Sequence, residues 1–485
     1  MSEEADEKAS GDTVSIVKAE SEIVLPKVPD VELIVDGFGF MPEDNATQFK
    51  SRSKMTAAEQ KKSSKSVKEN KSASSSQSPC ASSTNIDIVR RYTWKTKNRM
   101  TVQIITFGAT ITTIQVPDKK GVPDDVIAGF DTLEEYFQPN NPYFGATIGR
   151  YANYIRDGTI VVKPSGRMYM LSNNRGHNHY NGGYVGFDKV NWRSYVNGNK
   201  VVMSHISERF HEGYPGTVMA QVTFEVTCDN TLKIEMRCTT SEPTIVNLSS
   251  SPYFNLAGHH AGPEQMYEHI ISINADKYTV VDDNGLVTGE KNVVGGTAFD
   301  FRVPRILRAM LPRIPMGGYD VNYCITQGTE QDLSFQARAL HPFTGRVVEV
   351  YSNQPGLQFY TGNLLPDPDK IVEEPAEEEA NEKANEEEVK VESDSGSESE
   401  SSEESSVKGE DEADEESKGK RSYGYIPLIG KQGAHYKKHG LFCLMPQNYP
   451  DAINHKNFPN SILNPGEVYV HKIQYKFGLL LGKYL

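Results

Sequence analysis

From Ile86 onward, apolar and polar positions alternate in short runs rich in Val, Ile, Thr and Tyr, broken by Gly, Pro, Asn or Asp every eight to twelve residues. A period of two buries one face of a pleated strand and wets the other, so the pattern predicts antiparallel β-structure. The clearest runs are Met100–Val116, Lys200–Ser207, Met219–Cys228, Thr231–Thr240 and His269–Val281. Asp229-Asn230 predicts a tight hairpin turn between Met219–Cys228 and Thr231–Thr240. Helical signal is confined to Asp131–Gln138, with Asp131 as the expected N-cap and Glu134 three residues on. No internal repeat is apparent, which argues against propellers and solenoids. The expected fold is all-β, a large antiparallel β-sandwich, with strand-rich sequence in 86–365 and 422–485 long enough to bury a substantial core.

Two stretches break this texture. Residues 1–85 open on acidic polar sequence, pass a mildly apolar patch from Ile23 to Phe40 and end in a Lys- and Ser-rich run. They are expected to form a disordered leader, with the patch around Leu33, Ile34, Phe38 and Phe40 as a solvated part of it. The second stretch, 366–421, carries 23 Asp and Glu against 7 Lys and Arg, a net of −16 in a chain whose formal charge is −14. The rest therefore sums to +2. Like charges repel and almost nothing apolar is present to bury, so the segment reads as a disordered acidic insert within a domain spanning 86–485. Loop-closure entropy rises only about 0.6 kcal/mol per doubling of length, so a sandwich tolerates it. Ser393, Ser395, Ser397, Ser399, Ser401 and Ser402 lie among its carboxylates, where phosphorylation would add charge.

The near-neutral remainder argues against a nucleic-acid partner and favours a small molecule. Cys80, Cys228, Cys238, Cys324 and Cys443 are scattered and odd in number, without CxxC spacing, and read as buried thiols rather than a disulfide framework or zinc site. The first residues lack an apolar signal region and no apolar run is long enough to span a bilayer, so the expectation is a soluble, cytoplasmic protein with no membrane partner.

A set of blocks in consistent order carries a family resemblance. They include Thr106-Phe107-Gly108-Ala109-Thr110, the run Asn141–Ile155 (NPYFGATIGRYANYI), Gly182–Trp192, Glu212–Gly216, Val246–Gly258 (VNLSSSPYFNLAG), Gly317–Cys324, Glu349–Leu365 and His439–Asn454. Together they resemble the aldose 1-epimerase (galactose mutarotase) family over nearly the whole strand-rich part. The resemblance implies a β-sandwich with a sugar cleft on one concave sheet, a hexose ligand, and no metal or organic cofactor.

The family's reaction needs a base that removes the proton of the anomeric hydroxyl and an acid that protonates the ring oxygen, so that the ring opens and recloses. By resemblance, the base position, the glutamate of a CLETQ motif, is Met445, and the acid position, the histidine of an NHSYFNL motif, is Ser251. Neither can serve, because a thioether only accepts weakly and a serine hydroxyl has no proton to give at neutral pH. The second family histidine falls at Asn181 and the substrate-binding arginine at Tyr154, which deletes a planar donor fork. Asn153, Asp320 and Gln358 match sugar-contacting positions, while Arg150 and Asp300 read as structural. The leading expectation is a divergent, catalytically inactive member that still binds a sugar. The second is an active epimerase working with displaced groups, His179 and Asp320, since His179 is two residues before Asn181 and would share its strand face. The third is an interaction protein that recruits basic partners through the acidic insert.

Overall fold

The computed structural model describes residues 30–42, 87–314, 317–328, 332–369 and 427–481, with the backbone of two short pairs at 372–373 and 422–423. The alternation read in the sequence becomes two large sheets. One has nine strands, in the spatial order Arg193–Asn197, Lys200–Ser207, Val218–Thr227, Thr231–Thr240, Tyr469–Leu479, Arg346–Ser352, Ser334–Leu340, Ile270–Ile273, Arg305–Ile306. The other has six, in the order Tyr253–Phe254, Phe442–Gln447, Gly356–Tyr360, Asp320–Ile325, Ala275–Val281, Val287–Val293. Their facing sides share one core, in which Phe254 meets Tyr475 across the sheets at 5.6 Å between ring centroids and the Tyr475 hydroxyl donates to the Leu444 carbonyl at 3.2 Å.

Period two decides what the six-stranded sheet shows on its far side. Phe442 and Leu444, Leu357 and Phe359, and Val321 and Tyr323 all belong to the shared core. Each is followed or preceded by a residue that must point the opposite way. Those residues are Met445 and Gln447, Gln358 and Tyr360, and Asp320 and Asn322. Register brings them together, with Gln358 opposite both Met445 and Asn322, and Asp320 opposite Tyr360.

A third sheet flanks the sandwich and changes the reading of the leader. Its strands are β1 (Val31–Phe40), β2 (Ile88–Thr96), β3 (Thr101–Ile105), β4 (Thr110–Pro117) and β5 (Pro123–Asp125), hydrogen-bonded in that order. β1 pairs antiparallel with β2 from Val31 opposite Thr96 to Phe40 opposite Ile88. Val31 and Leu33 pack against the main core, and the Phe38 ring sits 6.2 Å from that of Tyr136. The patch expected to be solvated is thus an edge strand, because ladder hydrogen bonds and a few half-buried side chains reward its docking. The rest of the leader, Cys80 included, lies outside the described residues. So does most of the acidic insert, although the backbone of Val372–Glu373 pairs antiparallel with that of Ser422–Tyr423 near its two ends.

Other local readings shift for identifiable reasons. Met100–Val116 is two strands, β3 and β4, because Gly108 and Ala109 turn the chain at φ of 65° and 43°. A Cβ on Gly108 would lie 2.5 Å from the Asp188 carbonyl oxygen, so no other residue fits that turn. His269–Val281 divides between the two large sheets at Asn274, whose side-chain amide donates to the carbonyls of Thr326 and Phe335 and so satisfies the corner. The Asp229-Asn230 turn is a three-residue loop closed by Thr227 opposite Thr231, with Asn230 left-handed at φ 60°. The helical turn is Leu133–Tyr136, capped by Thr132 rather than Asp131, and Glu135 Oε2 accepts the Thr132 N–H at 2.9 Å.

Of the four described cysteines all are free thiols; Cys238 and Cys443 are buried as expected, but Cys228 is exposed on that hairpin loop. Among the described residues no helix is long and apolar enough to cross a membrane.

The segment that returns after the insert is tied to the flanking sheet by a buried ion pair. Lys431 Nζ donates to Asp125 Oδ2 at 2.6 Å and to the Thr112 carbonyl at 2.7 Å. Both partners are nearly inaccessible, and breaking such a pair strands a charge away from water. Lys431→Met is expected to cost about 3–5 kcal/mol in urea unfolding, and Lys431→Met with Asp125→Asn to cost less than the single change. A single variant as stable as the parent in the same measurement contradicts this account.

Candidate functional site

A cavity of about 830 Å³ opens on the outer face of the six-stranded sheet. Met445, Gln447, Gln358, Tyr360 and Asp320 line it from the strands, and Ser249, Ser251 and Tyr253 from the segment entering the first strand. One wall is the loop 137–144, with Phe137, Tyr143 and Phe144; another carries Asn153, Tyr154, Arg175, Tyr180 and Asn181. Seven of the eight residues expected at the site therefore meet in one cleft.

His179 does not join them. It is fully buried behind the wall, its Nδ1 2.7 Å from the Ser172 carbonyl and its Nε2 2.6 Å from the Tyr214 hydroxyl. A carbonyl only accepts, so Nδ1 carries the proton and Nε2 accepts from the tyrosine. Burial pushes this imidazole down to about 4, leaving it neutral and fully engaged. The shared strand face expected for His179 and Asn181 fails because the strand ends at Tyr180 and Asn181 is left-handed, at φ 47°.

The retained polar residues divide into those occupied by the fold and those open to the cleft. Asn181 Oδ1 accepts the Asn153 N–H at 2.8 Å, and Asn153 Oδ1 accepts the Tyr154 N–H at 2.9 Å, so both carbonyl oxygens hold a strained turn in which Asn153 has φ 71°. Arg150, next to them in sequence, is buried and donates to Ser207 and to the carbonyls of Glu208 and Pro215, a structural role.

On the floor, Gln358 Nε2 donates to Asp320 Oδ1 at 2.6 Å. The Gln358 Oε1 and the Gln447 Nε2 have no protein partner, although both residues are buried, and both polar atoms of Asn322, on the same sheet face but outside the cavity lining, are likewise unpaired. Unpaired buried amides are costly, and a cluster of them on one face is a ready set of donors and acceptors. The protein packed around Asp320 pushes its carboxyl up to about 6, against the Gln358 hydrogen bond and the Arg175 charge. Its side chain still opens to the cleft, so the shift is fully felt when a ligand displaces the water there.

Sequence reasoning missed Gln447 and Arg175. The first follows from the alternation that places Met445 on the cleft face. Arg175 stands on a loop without periodicity and carries no such signal. The aromatic walls were also unforeseen: Tyr154 and Tyr180 lie 4.5 Å apart, and Tyr143 and Tyr180 6.0 Å apart, between ring centroids.

An antiparallel sandwich with a polar, aromatic-walled cleft on its outer sheet face defines a small-molecule-binding β-protein. Comparison with known proteins gives it a family. Residues 90–476 match the sequence profile of aldose 1-epimerase, and the chain belongs to that family. It is 37% identical over 382 residues to the galactose mutarotase of Bos taurus, covering 79% of this chain and 92% of that one. Identity to the Homo sapiens galactose mutarotase is 38% over 378 residues, covering 78% and 91%. A solved structure of an aldose epimerase homologue from C. elegans superposes with a TM-score of 0.62 at 25% identity, covering 79% of this chain and 97% of that one.

Proposed function

We propose that the cleft binds an aldohexose and does not interconvert its anomers. What supports this most directly is the pair of side chains at the base and acid positions of the family motif: Met445 and Ser251 both open into the cavity. Neither exchanges protons at neutral pH. The unpaired amide atoms of Gln358 and Gln447 suit a polyhydroxyl ligand, and the tyrosine faces of the walls suit the apolar face of a pyranose.

The reading with displaced groups loses its histidine, because His179 faces away from the cleft. Asp320 remains as a carboxylate near its titration point, without a matched acid across the cavity. Recruitment of basic partners by the acidic insert is a separate activity and draws no support from the cleft.

The test is a titration of the purified protein with galactose and glucose by nuclear magnetic resonance, following ligand line-broadening and anomer exchange in one tube. Broadening without exchange faster than in buffer is the expected result. Exchange accelerated to within a few-fold of an active mutarotase overturns the inactive reading. Absence of any broadening overturns sugar binding itself.

A further inference from the structure

We propose that the preferred ligand is a hexose carrying an anionic group, a uronate or a hexose phosphate, with Arg175 as the residue that reads the charge. The inference rests on the reading that the cleft binds a sugar, and adds the class of sugar.

Two cationic side chains line the cavity, Arg175 and Lys189. Lys189 Nζ is spoken for, lying 3.2 Å from the carboxylate of the neighbouring Asp188. Arg175 has no carboxylate within ion-pair distance among the described residues. Its guanidinium lies 5.7 Å from the Tyr180 ring centroid, and Tyr180 in turn packs on Tyr154. The Tyr154 hydroxyl also hydrogen-bonds to the guanidinium, taking up part of its donor set without neutralising its charge. Tyr154 occupies the place where the family motif carries its substrate-binding arginine. A guanidinium therefore returns to this wall from a different loop, outside the motif. Its remaining donors lie in the plane of the fork, whose geometry matches a carboxylate or phosphate in two parallel hydrogen bonds.

A neutral hydroxyl would leave the charge uncompensated, whereas charge-assisted hydrogen bonds are roughly twice as strong as neutral ones. The other charged group of the cleft does not oppose this strongly. Asp320 already accepts from Gln358, and it is drawn toward its neutral form by the protein around it. The floor amides remain available for the sugar hydroxyls.

The experiment is isothermal titration of the full chain with galactose, galacturonate and galactose 6-phosphate, at low and at high salt, on the parent, Arg175→Gln and Lys189→Gln. Arg175 is exposed, so its substitution leaves the fold intact. Expected is binding of at least one anionic sugar about tenfold tighter than galactose at low salt, a gap that narrows at high salt. Galacturonate alone favoured assigns a carboxylate, and galactose 6-phosphate alone a phosphate. Arg175→Gln is expected to abolish the preference, bringing each anionic sugar to within about twofold of galactose on the same variant. Galactose bound as tightly as both anions overturns the proposal and spares the reading of a sugar cleft. A preference that survives Arg175→Gln but not Lys189→Gln also overturns it. No binding of any of the three sugars overturns both.

Discussion

Met445→Glu together with Ser251→His is expected to raise the rate of galactose anomer exchange by about 10²- to 10⁴-fold over the parent protein, measured by polarimetry. The range is what a positioned acid or base contributes. The geometry favours the glutamate first. Position 445 lies on the cleft face opposite Gln358, with Asp320 on the next strand, so a carboxylate there would be held on a rigid sheet and share the donors of the floor. Position 251 is tighter, because Ser251 is buried and its backbone is tied to Gly145 and Ala146. A histidine there costs packing energy of about 1–3 kcal/mol. Met445→Glu alone is therefore the companion variant, expected to recover part of the gain. A folded double variant with no gain contradicts the view that these two positions are what the chemistry lacks.

Stability is expected to fall steeply between pH 7 and pH 5, well above the range where carboxylates usually titrate. Six buried or half-buried histidines carry the effect. Burial pushes His179, His205, His259 and His341 down to about 4, and His269 and His471 to about 3. In the unfolded chain each returns to about 6.5. Between those values the unfolded state binds more protons, so stability is lost as pH falls from about 6.5 toward 4. Asp451 works in the opposite sense, since burial raises it to about 6 and the folded state binds its proton first, and Asp320, raised in the same direction but open to the cleft, adds less. Six groups against two leaves a net uptake of about four protons on unfolding near pH 5. Each buried imidazole contributes about 2 kcal/mol at that pH, a large share of the 5–15 kcal/mol typical of a folded domain. Urea midpoints at pH 7.5, 6 and 5 check this. A midpoint that stays constant over that range contradicts it.

Much of the cleft floor is legible in the sequence. Leu444 and Phe359 are apolar, so strict alternation sends Met445 and Gln358 to the other face, and neighbouring strands of a sandwich bring such faces together. The same rule failed at His179, because one left-handed residue, Asn181, ends the strand and turns the chain. It also failed for the leader patch. Val31–Phe40 pairs with a strand about fifty residues on, and nothing local distinguishes an edge strand from a solvated tail.

What the sequence determined by itself is the class of fold, the family, and that positions 251 and 445 hold serine and methionine, neither of which exchanges protons at neutral pH. These depend on residue identity and short-range period, which are properties of the chain. What only the tertiary structure decided is which polar groups remain unpaired. Gln358, Gln447 and Asn322 are left with open hydrogen-bonding atoms, His179 is fully used, and Arg175 arrives at the cleft from a loop. Whether a donor or a charge is free depends on every neighbour brought to it from elsewhere in the chain, and no local pattern encodes that.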